Sequence, residues 1–95
     1  MISSSNSSDL KIASALIATG RNRINAITFL SDGTNASTLV VYDNTVGSGK
    51  VLAKLVNKAT DQQNHVIFTS PVYCENGIYA ALAGTGGNYI VYYGA

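Results

Sequence analysis

Clusters of turn-forming residues divide this chain into short apolar runs, and this division constrains its fold more than any other feature. Glycine in such clusters supplies a positive φ without steric cost, and Asn or Asp tolerates it through a local side-chain hydrogen bond. The clusters are Ser31-Asp32-Gly33, Asp43-Asn44, Gly47-Ser48-Gly49, Asp61–Asn64, Asn76-Gly77 and Gly84–Asn88. Many of the residues between them are β-branched or aromatic, which predicts strands of a pleated sheet.

This spacing predicts an all-β chain with about eight short strands, folded as a sandwich or a small barrel. A single-domain antiparallel β-sandwich is the expected fold. A length of 95 residues is enough for one domain and no more. The Ser/Asn-rich segment Met1–Ser8 is expected to be a flexible arm, and residues 9–95 are expected to form the sandwich. The strands are predicted over Leu10–Ala18, Arg23–Leu30, Thr38–Tyr42, Val51–Val56, His65–Thr69, Val72–Cys74, Ile78–Ala83 and Tyr89–Tyr93.

Two segments leave a helix open as an alternative. Leu10–Ala18 could form a short helix capped by Ser8 or Asp9, and Val51–Thr60 carries two lysines at helical spacing. One short helical turn, near Val51–Thr60 or in the arm, is therefore the main alternative to a purely β chain.

Two local signals predict how particular strands are connected. Asn76-Gly77 lies between apolar pairs, and Asn-Gly is the sequence that type I′ hairpin turns require. Pro71 cannot donate a ladder hydrogen bond, so it is expected at a strand start or in an edge strand. The first signal predicts that the strands on either side of Asn76-Gly77 pair as a hairpin.

Few side chains carry charge: 12% of residues are charged, the net charge is +1, and the sequence pI is near 7.9. This balance argues against a nucleic-acid groove and against a polybasic membrane patch. Ser, Thr and Asn together supply 27 residues, so the surface is expected to be polar but neutral, with little repulsion between copies. Because a core of this size is marginally stable alone, we expect the chain to form homo-oligomers.

The residue types that usually carry chemistry are scarce. His65 and Cys74 are the single histidine and the single cysteine, and they fall on different predicted strands. One of each cannot make an ordinary structural zinc site or an intramolecular disulfide. Gly47-Ser48-Gly49-Lys50 departs from a phosphate-binding loop at two positions, and no helix is expected after it. We therefore expect no catalytic residues, no metal and no cofactor.

Tyrosines are the stronger candidates for a functional role, because three of them lie in the last predicted strand. On that strand Tyr89, Val91 and Tyr93 should share one face, with Ile90 and Tyr92 on the other. Both faces cannot be buried in a thin sandwich unless another chain covers one, and tyrosine is enriched in interfaces. The candidate interface residues are Tyr73, Tyr79, Tyr89, Tyr92 and Tyr93, with Met1, Ile2 and Ser3 of the arm.

Targeting signals are weak. The first apolar stretch, Ala13–Ala18, is not preceded by a basic cluster and is too short for the roughly 7–15 apolar residues of a signal peptide. The uncharged stretch from Asn76 onward is broken by Gly84–Asn88, which leaves no membrane span. We expect a soluble chain made in a reducing, cytoplasm-like compartment.

The chain resembles small virion proteins of tailed bacteriophages. The segments that carry the resemblance are Thr38–Asn44, Ser48–Ala53, Phe68, Pro71, Asn76–Ala80 and Gly84–Gly86, after a Ser-rich start. The resemblance implies a jelly-roll-like sandwich domain. It also implies a non-enzymatic structural protein, a capsid decoration (cement) protein that trimerises and binds the outer capsid surface. Its partners would be its own copies and the major capsid protein or another virion protein. Its place would be the virion, assembled in the host cytoplasm, and no catalytic residue follows from the resemblance.

Two other functions stay open. A head–tail adaptor, or a tail or fibre-associated component, belongs to the same class of virion proteins. A lectin-like β-sandwich that stacks the C-terminal tyrosines on sugar rings belongs to another class.

Overall fold

The computed structural model describes residues 6–31, 35–58 and 63–94, and of residues 63–71 only the backbone. The described residues form eight strands in two four-stranded antiparallel sheets that pack as a sandwich. The strands are β1 (Asn6–Ser7), β2 (Ala15–Thr19), β3 (Asn22–Leu30), β4 (Ser37–Tyr42), β5 (Val51–Asn57), β6 (Gln63–Cys74), β7 (Gly77–Gly84) and β8 (Asn88–Gly94). Sheet A has the order β1-β8-β3-β6, and sheet B has the order β2-β7-β4-β5.

The pairing of the strands is that of one long hairpin rolled up on itself. β1 pairs with β8, β2 with β7, β3 with β6, and β4 with β5. Two further pairings, β3 with β8 and β4 with β7, complete the sheets. This is the jelly-roll arrangement of eight strands, so the predicted fold class is confirmed.

The core lies between the two sheets and is made of alternate residues of the central strands. Sheet A contributes Ile24, Ile27, Phe29, Cys74, Tyr89 and Val91, and sheet B contributes Leu39, Val41, Ile78 and Ala80. All ten side chains have no exposed surface. Burying each of the larger ones contributes about 1.5–3 kcal/mol to folding. The thinnest extent of the molecule is 19 Å, which suits two sheets about 10 Å apart.

Five of the predicted strands are confirmed to within one residue at each end. They are those that became β3, β4, β5, β7 and β8. The two predicted strands His65–Thr69 and Val72–Cys74 form a single strand, β6, because the chain continues along β3 through a shift of register between Ile24 and Ala26. Pro71 lies within β6, which is an edge strand of sheet A, as predicted.

The prediction of a strand over Leu10–Ala18 is wrong for its first half. Residues 10–14 cross from sheet A to sheet B, and only Lys11 makes an isolated bridge, to Tyr89. Asp9 has a φ of 65°, so the chain bends there and the strand resumes at Ala15. The helical alternatives are also wrong within the described residues, since none of Leu10–Ala18 or of residues 51–58 is helical. Among the described residues, no helix is long and apolar enough to span a membrane.

The expected hairpin at Asn76-Gly77 is absent, since β6 lies in sheet A and β7 in sheet B. A type I′ turn needs a positive φ at both central residues, and Asn76 has none. The glycine serves a different purpose. A Cβ on Gly77 would lie 2.7 Å from the carbonyl oxygen of Ala18 and 3.1 Å from that of Asn44, so the position permits a close approach of backbones.

The described part of the predicted N-terminal arm belongs to the sandwich. Asn6 and Ser7 form β1, opposite Tyr93 and Tyr92 of β8. The backbone N–H of Ser8 then donates to the carbonyl oxygen of Val91, which continues the ladder by one residue. Met1–Ser5 lie outside the described residues.

Candidate interaction surface

The outward side chains of sheet B form a nearly uncharged face. On β4, Ser37, Leu39 and Val41 are buried, so Thr38, Val40 and Tyr42 point away from the core. The registers of β2, β5 and β7 extend these positions across the whole sheet. We define the sheet-B outer face by the ten residues Leu16, Thr38, Val40, Tyr42, Val51, Lys54, Val56, Tyr79, Ala81 and Ala83. Among these ten described side chains, one is charged.

The apolar side chains of this face are accessible in the single chain. Leu16 is 44% exposed, and Val51 and Val56 are each 50% exposed. Leu16, Tyr79, Tyr42 and Val51 are direct neighbours across β2, β7, β4 and β5, so they form one row over the full width of the sheet. Cross-strand neighbours of this kind have Cβ atoms about 4.5–5.5 Å apart and present one continuous surface.

A loop contacts the middle of this row. Gly47 lies in the connection between β4 and β5, and a Cβ built there would be 3.2 Å from the ring of Tyr79. Val46 of the same loop is 54% exposed. The Asn44 side chain stiffens the loop, since its Nδ2 donates to the carbonyl oxygen of Ser48 over 2.9 Å. The apolar row is therefore bordered by a loop that carries both apolar and polar groups.

The outer face of sheet A differs in its chemistry. Its outward positions on β3 and β8 pair Leu30 with Asn88, Thr28 with Ile90, and Ala26 with Tyr92. Ser7 of β1 adjoins Tyr92, and Arg23 lies opposite Tyr73 on β6. Polar and apolar groups alternate over this face, which is the usual surface of a sandwich in water.

The structure separates the tyrosines that the sequence grouped together. Tyr79 lies on the sheet-B outer face, whereas Tyr92 lies on the outer face of sheet A. Tyr73 is 47% exposed on edge strand β6. Tyr93 is partly buried and packs against the core. The predicted division of β8, with Tyr89, Val91 and Tyr93 on one face and Tyr92 on the other, is confirmed.

Tyr89 is an internal residue of the chain. Its side chain has no exposed surface, and its hydroxyl donates a hydrogen bond of 2.8 Å to the carbonyl oxygen of Ala13. Burial raises the pKa of Tyr89 to about 12, with a smaller contribution from Tyr79. The ring therefore contributes to the core and secures the crossing between sheets, and it has no surface left for a second chain.

Nine of the ten residues of the sheet-B outer face, all except Tyr79, were missed from the sequence. Among them are Leu16, Val40, Tyr42 and Val51. A signal was present in the run Leu39–Tyr42, which is apolar at every position. A strand whose odd and even positions are both apolar has two apolar faces, and the core can cover only one of them. The run Tyr89–Tyr93 is also apolar at every position, but it lies in sheet A, whose outer face is the more polar. Met1, Ile2 and Ser3 lie outside the described residues.

The single cysteine, Cys74, and the single histidine, His65, both lie on β6. Cys74 is buried, and its Sγ lies 3.2 Å from the carbonyl oxygen of Asn22. Burial raises the pKa of the Cys74 thiol, which keeps it in the unreactive protonated form. On edge strand β6, His65 lies opposite Thr28 of β3. The described residues hold no group of three or more His, Cys, Asp or Glu arranged to bind a metal ion.

Comparison with protein-family models, with curated proteins and with solved structures finds no match to this chain.

Proposed function

We propose that this chain is a non-enzymatic structural protein of a bacteriophage virion, a capsid decoration (cement) protein that trimerises and binds the outer capsid surface. Its place is the virion, which is assembled in the host cytoplasm. The jelly-roll body is small and compact, with a radius of gyration of 12.6 Å. A body of this kind suits a component that is repeated many times over a shell.

The observation that carries the proposal is the sheet-B outer face. Its ten side chains include one cation and no anion, and the others are aliphatic, tyrosine or threonine. Half-exposed Leu16, Val51 and Val56 stand on it without a covering element among the described residues. Contiguous apolar surfaces of this kind mark sites of association with other proteins.

The low charge of the whole chain supports the same proposal. With 12% charged residues and a net charge of +1, copies repel one another weakly. A lattice of identical sites multiplies contacts that are each modest, so a small protein can be held firmly by several of them at once. A trimer presents three such contacts together.

The test is binding to capsids. The purified chain is mixed with mature capsids of the phage that encodes it and centrifuged, with capsids of an unrelated phage as the control. We expect saturable co-sedimentation with the first capsids only, and a trimer in the unbound fraction by light scattering. A chain that is monomeric throughout and stays in the supernatant would contradict the proposal.

A head–tail adaptor, or a tail or fibre-associated component, is the alternative within the same class. The same experiment separates the two, because a decoration protein saturates at many copies per capsid. An adaptor or a tail component binds at one vertex or not at all. A gene position beside the major capsid gene, as opposed to the tail genes, would give the same answer independently.

A carbohydrate-binding module is a second candidate, favoured by one observation. Tyr42 and Tyr79 are direct cross-strand neighbours on an exposed face, beside a loop that carries Asn44 and Ser48. Aromatic rings next to polar groups can stack on sugars. Tyr92 and Tyr93 cannot do so together, since they lie on opposite faces of β8. Glycan-array binding that is lost in Tyr42→Ala, and kept in Tyr92→Ala, would establish this function.

A further inference from the structure

We propose that the sheet-B outer face is the surface that a second copy of this chain covers. The inference deepens the proposed function and rests on it, because it assigns the contact between copies to one face of the sandwich. The shell then contacts a different surface. The inference follows from the area of the face, from its charge and from the order in which a decoration protein meets its partners.

The area of the face fits a contact between two small proteins. Strands about 4.8 Å apart that rise about 3.3 Å per residue make a four-strand, six-residue face of about 19 by 20 Å, or about 400 Å². Covering one such face buries about 400 Å² of flat area on each of the two chains, about 800 Å² in total, and more once the relief of the side chains is included. This is the size of a weak or transient contact, below the roughly 1,200–2,000 Å² of stable specific interfaces, so the contact should depend on protein concentration.

The charge of the face allows it to meet its own copy. Lys54 is its one charged residue among the ten described, and it lies on β5, an edge strand of sheet B. From an edge, its ammonium group can reach water while the aliphatic stem lies on the apolar surface. No charged partner is needed opposite the face, and nothing at its centre repels a second copy. Interfaces between identical chains are more apolar than transient interfaces, which resemble ordinary surface.

The partner present in solution decides between a second copy and the shell. Before the chain meets any shell, other copies of the chain are what can cover its apolar face. Soluble monomers rarely leave more than a few hundred Å² of contiguous apolar surface exposed. The partner present at that stage is another copy of the chain. In the proposed trimer each face meets the flank of the next copy, because a face-to-face contact of two copies would close a dimer.

The test uses one charged substitution on each outer face. Val40→Lys places a cation at the centre of the sheet-B outer face, on β4. Ile90→Lys places the same charge on the outer face of sheet A, on the equally central strand β8. Sedimentation velocity over a hundredfold range of concentration measures self-association of each variant and of the wild type. Circular dichroism and thermal unfolding show that each variant is folded.

We expect Val40→Lys to raise the concentration at which half the chains associate by at least about tenfold, and Ile90→Lys to leave it unchanged. Should Val40→Lys fail to fold, Leu16→Lys repeats the test at a position already 44% exposed, where a lysine head group can reach water. Self-association that is the same in both sheet-B variants as in the wild type would overturn the inference.

Capsid co-sedimentation of the same variants distinguishes failure of the inference from failure of the proposed function. If the sheet-B variants stay associated but no longer bind capsids, the face contacts the shell. That result overturns the inference and leaves the proposed function standing. If the wild type binds no capsids while Val40→Lys still abolishes self-association, the contact between copies is correct and the virion function is wrong.

Discussion

At the scale of single residues, Asp43 connects two loops that are distant in sequence. It follows β4, and one carboxylate oxygen, Oδ1, accepts hydrogen bonds from the backbone N–H groups of Asn76, over 2.9 Å, and Glu75, over 3.1 Å. Its own backbone N–H donates to the carbonyl oxygen of Lys50 over 2.8 Å. The donors, first that of Asn76, hold the pKa of Asp43 below its ordinary value of 3.8 against the opposing effect of burial. One carboxylate thus fixes the β6–β7 crossing to the β4–β5 loop.

Asp43→Asn should lower the free energy of unfolding at neutral pH by about 1 kcal/mol. The amide oxygen can still accept a hydrogen bond, but it lacks the charge, and the partial exposure of the site keeps the loss modest. Urea unfolding measures the difference. Glu75→Gln is the matched control, because it removes a charge from the same turn and keeps the backbone donor. Equal losses in both variants would contradict the assigned role.

The same contact predicts a pH dependence. A carboxyl whose pKa is lowered by folding stabilises the protein above its unfolded pKa, and this stabilisation is lost as the pH falls through the folded pKa. The difference between wild type and Asp43→Asn should therefore be full above pH 3.8 and shrink below it. A difference that stays constant down to about pH 2.5 would show that the charge of Asp43 is not involved.

At the scale of elements, the connection between β6 and β7 carries the chain from one sheet to the other, and Gly77 lies where this connection closely approaches other backbone. It opens β7 opposite Thr19 of β2. In this sharp crossing the carbonyl oxygen of Asn76 accepts a hydrogen bond from the backbone N–H of Gly20 over 3.0 Å. Gly77 and Gly20 therefore flank the hydrogen bond that joins the β6–β7 connection to the β2–β3 connection.

Gly77→Ala should destabilise the protein by more than Gly20→Ala. Both glycines have a positive φ, 154° and 76°, but a Cβ at Gly20 has no atom within 4 Å, whereas at Gly77 it meets two carbonyl oxygens. The φ penalty alone is about 1–2 kcal/mol, and the steric clash adds to it at Gly77. Thermal and urea unfolding of the two variants measure the difference. Equal losses would mean that the crossing can move to accommodate the extra methyl group.

Most strands could be predicted because their turn residues and β-branched runs act locally. β3, β4, β5, β7 and β8 were found to within one residue for this reason. The sheet to which a strand belongs depends on contacts far along the chain. Asn76-Gly77 has the local chemistry of a hairpin, yet the register of Gly77 with Thr19 and the hydrogen bonds to Asp43 place the flanking strands in different sheets.

The candidate surface was only partly predictable. The alternation of buried and outward residues along β8 was predicted correctly. The continuous apolar face lies on sheet B, because whether a face is apolar depends on which strands lie side by side. Leu16, Tyr79, Tyr42 and Val51 come from four separate runs, and only the registers of β2, β7, β4 and β5 join them in one row.

At the scale of the whole molecule, the scarcity of charge and the sheet-B outer face have a common consequence. The chain has six basic and five acidic residues, and one of these eleven lies on the face. Its association should therefore depend on apolar burial, with little contribution from ion pairs across the contact. Salt screens ion pairs and leaves apolar burial intact or strengthens it.

Self-association should consequently be the same or tighter when sodium chloride is raised from low to molar concentration. Sedimentation velocity at fixed protein concentration checks this. Thr28→Glu, on the outer face of sheet A, is a control for a general effect of surface charge. Dissociation on addition of salt would show that the contact depends on ionic groups and lies elsewhere on the molecule.

The rolled hairpin also determines when the protein can fold during its synthesis. β8 is translated last of the eight strands, yet it lies inside sheet A, between β1 and β3. β1 has no partner among the described strands until residues 88–94 have left the ribosome, and β3 until then has one free edge. Strand pairings this distant in sequence are slow to form. Sheet A should therefore stay open between β1 and β3 throughout elongation, with these edges exposed to chaperones, and close only after β8 has emerged.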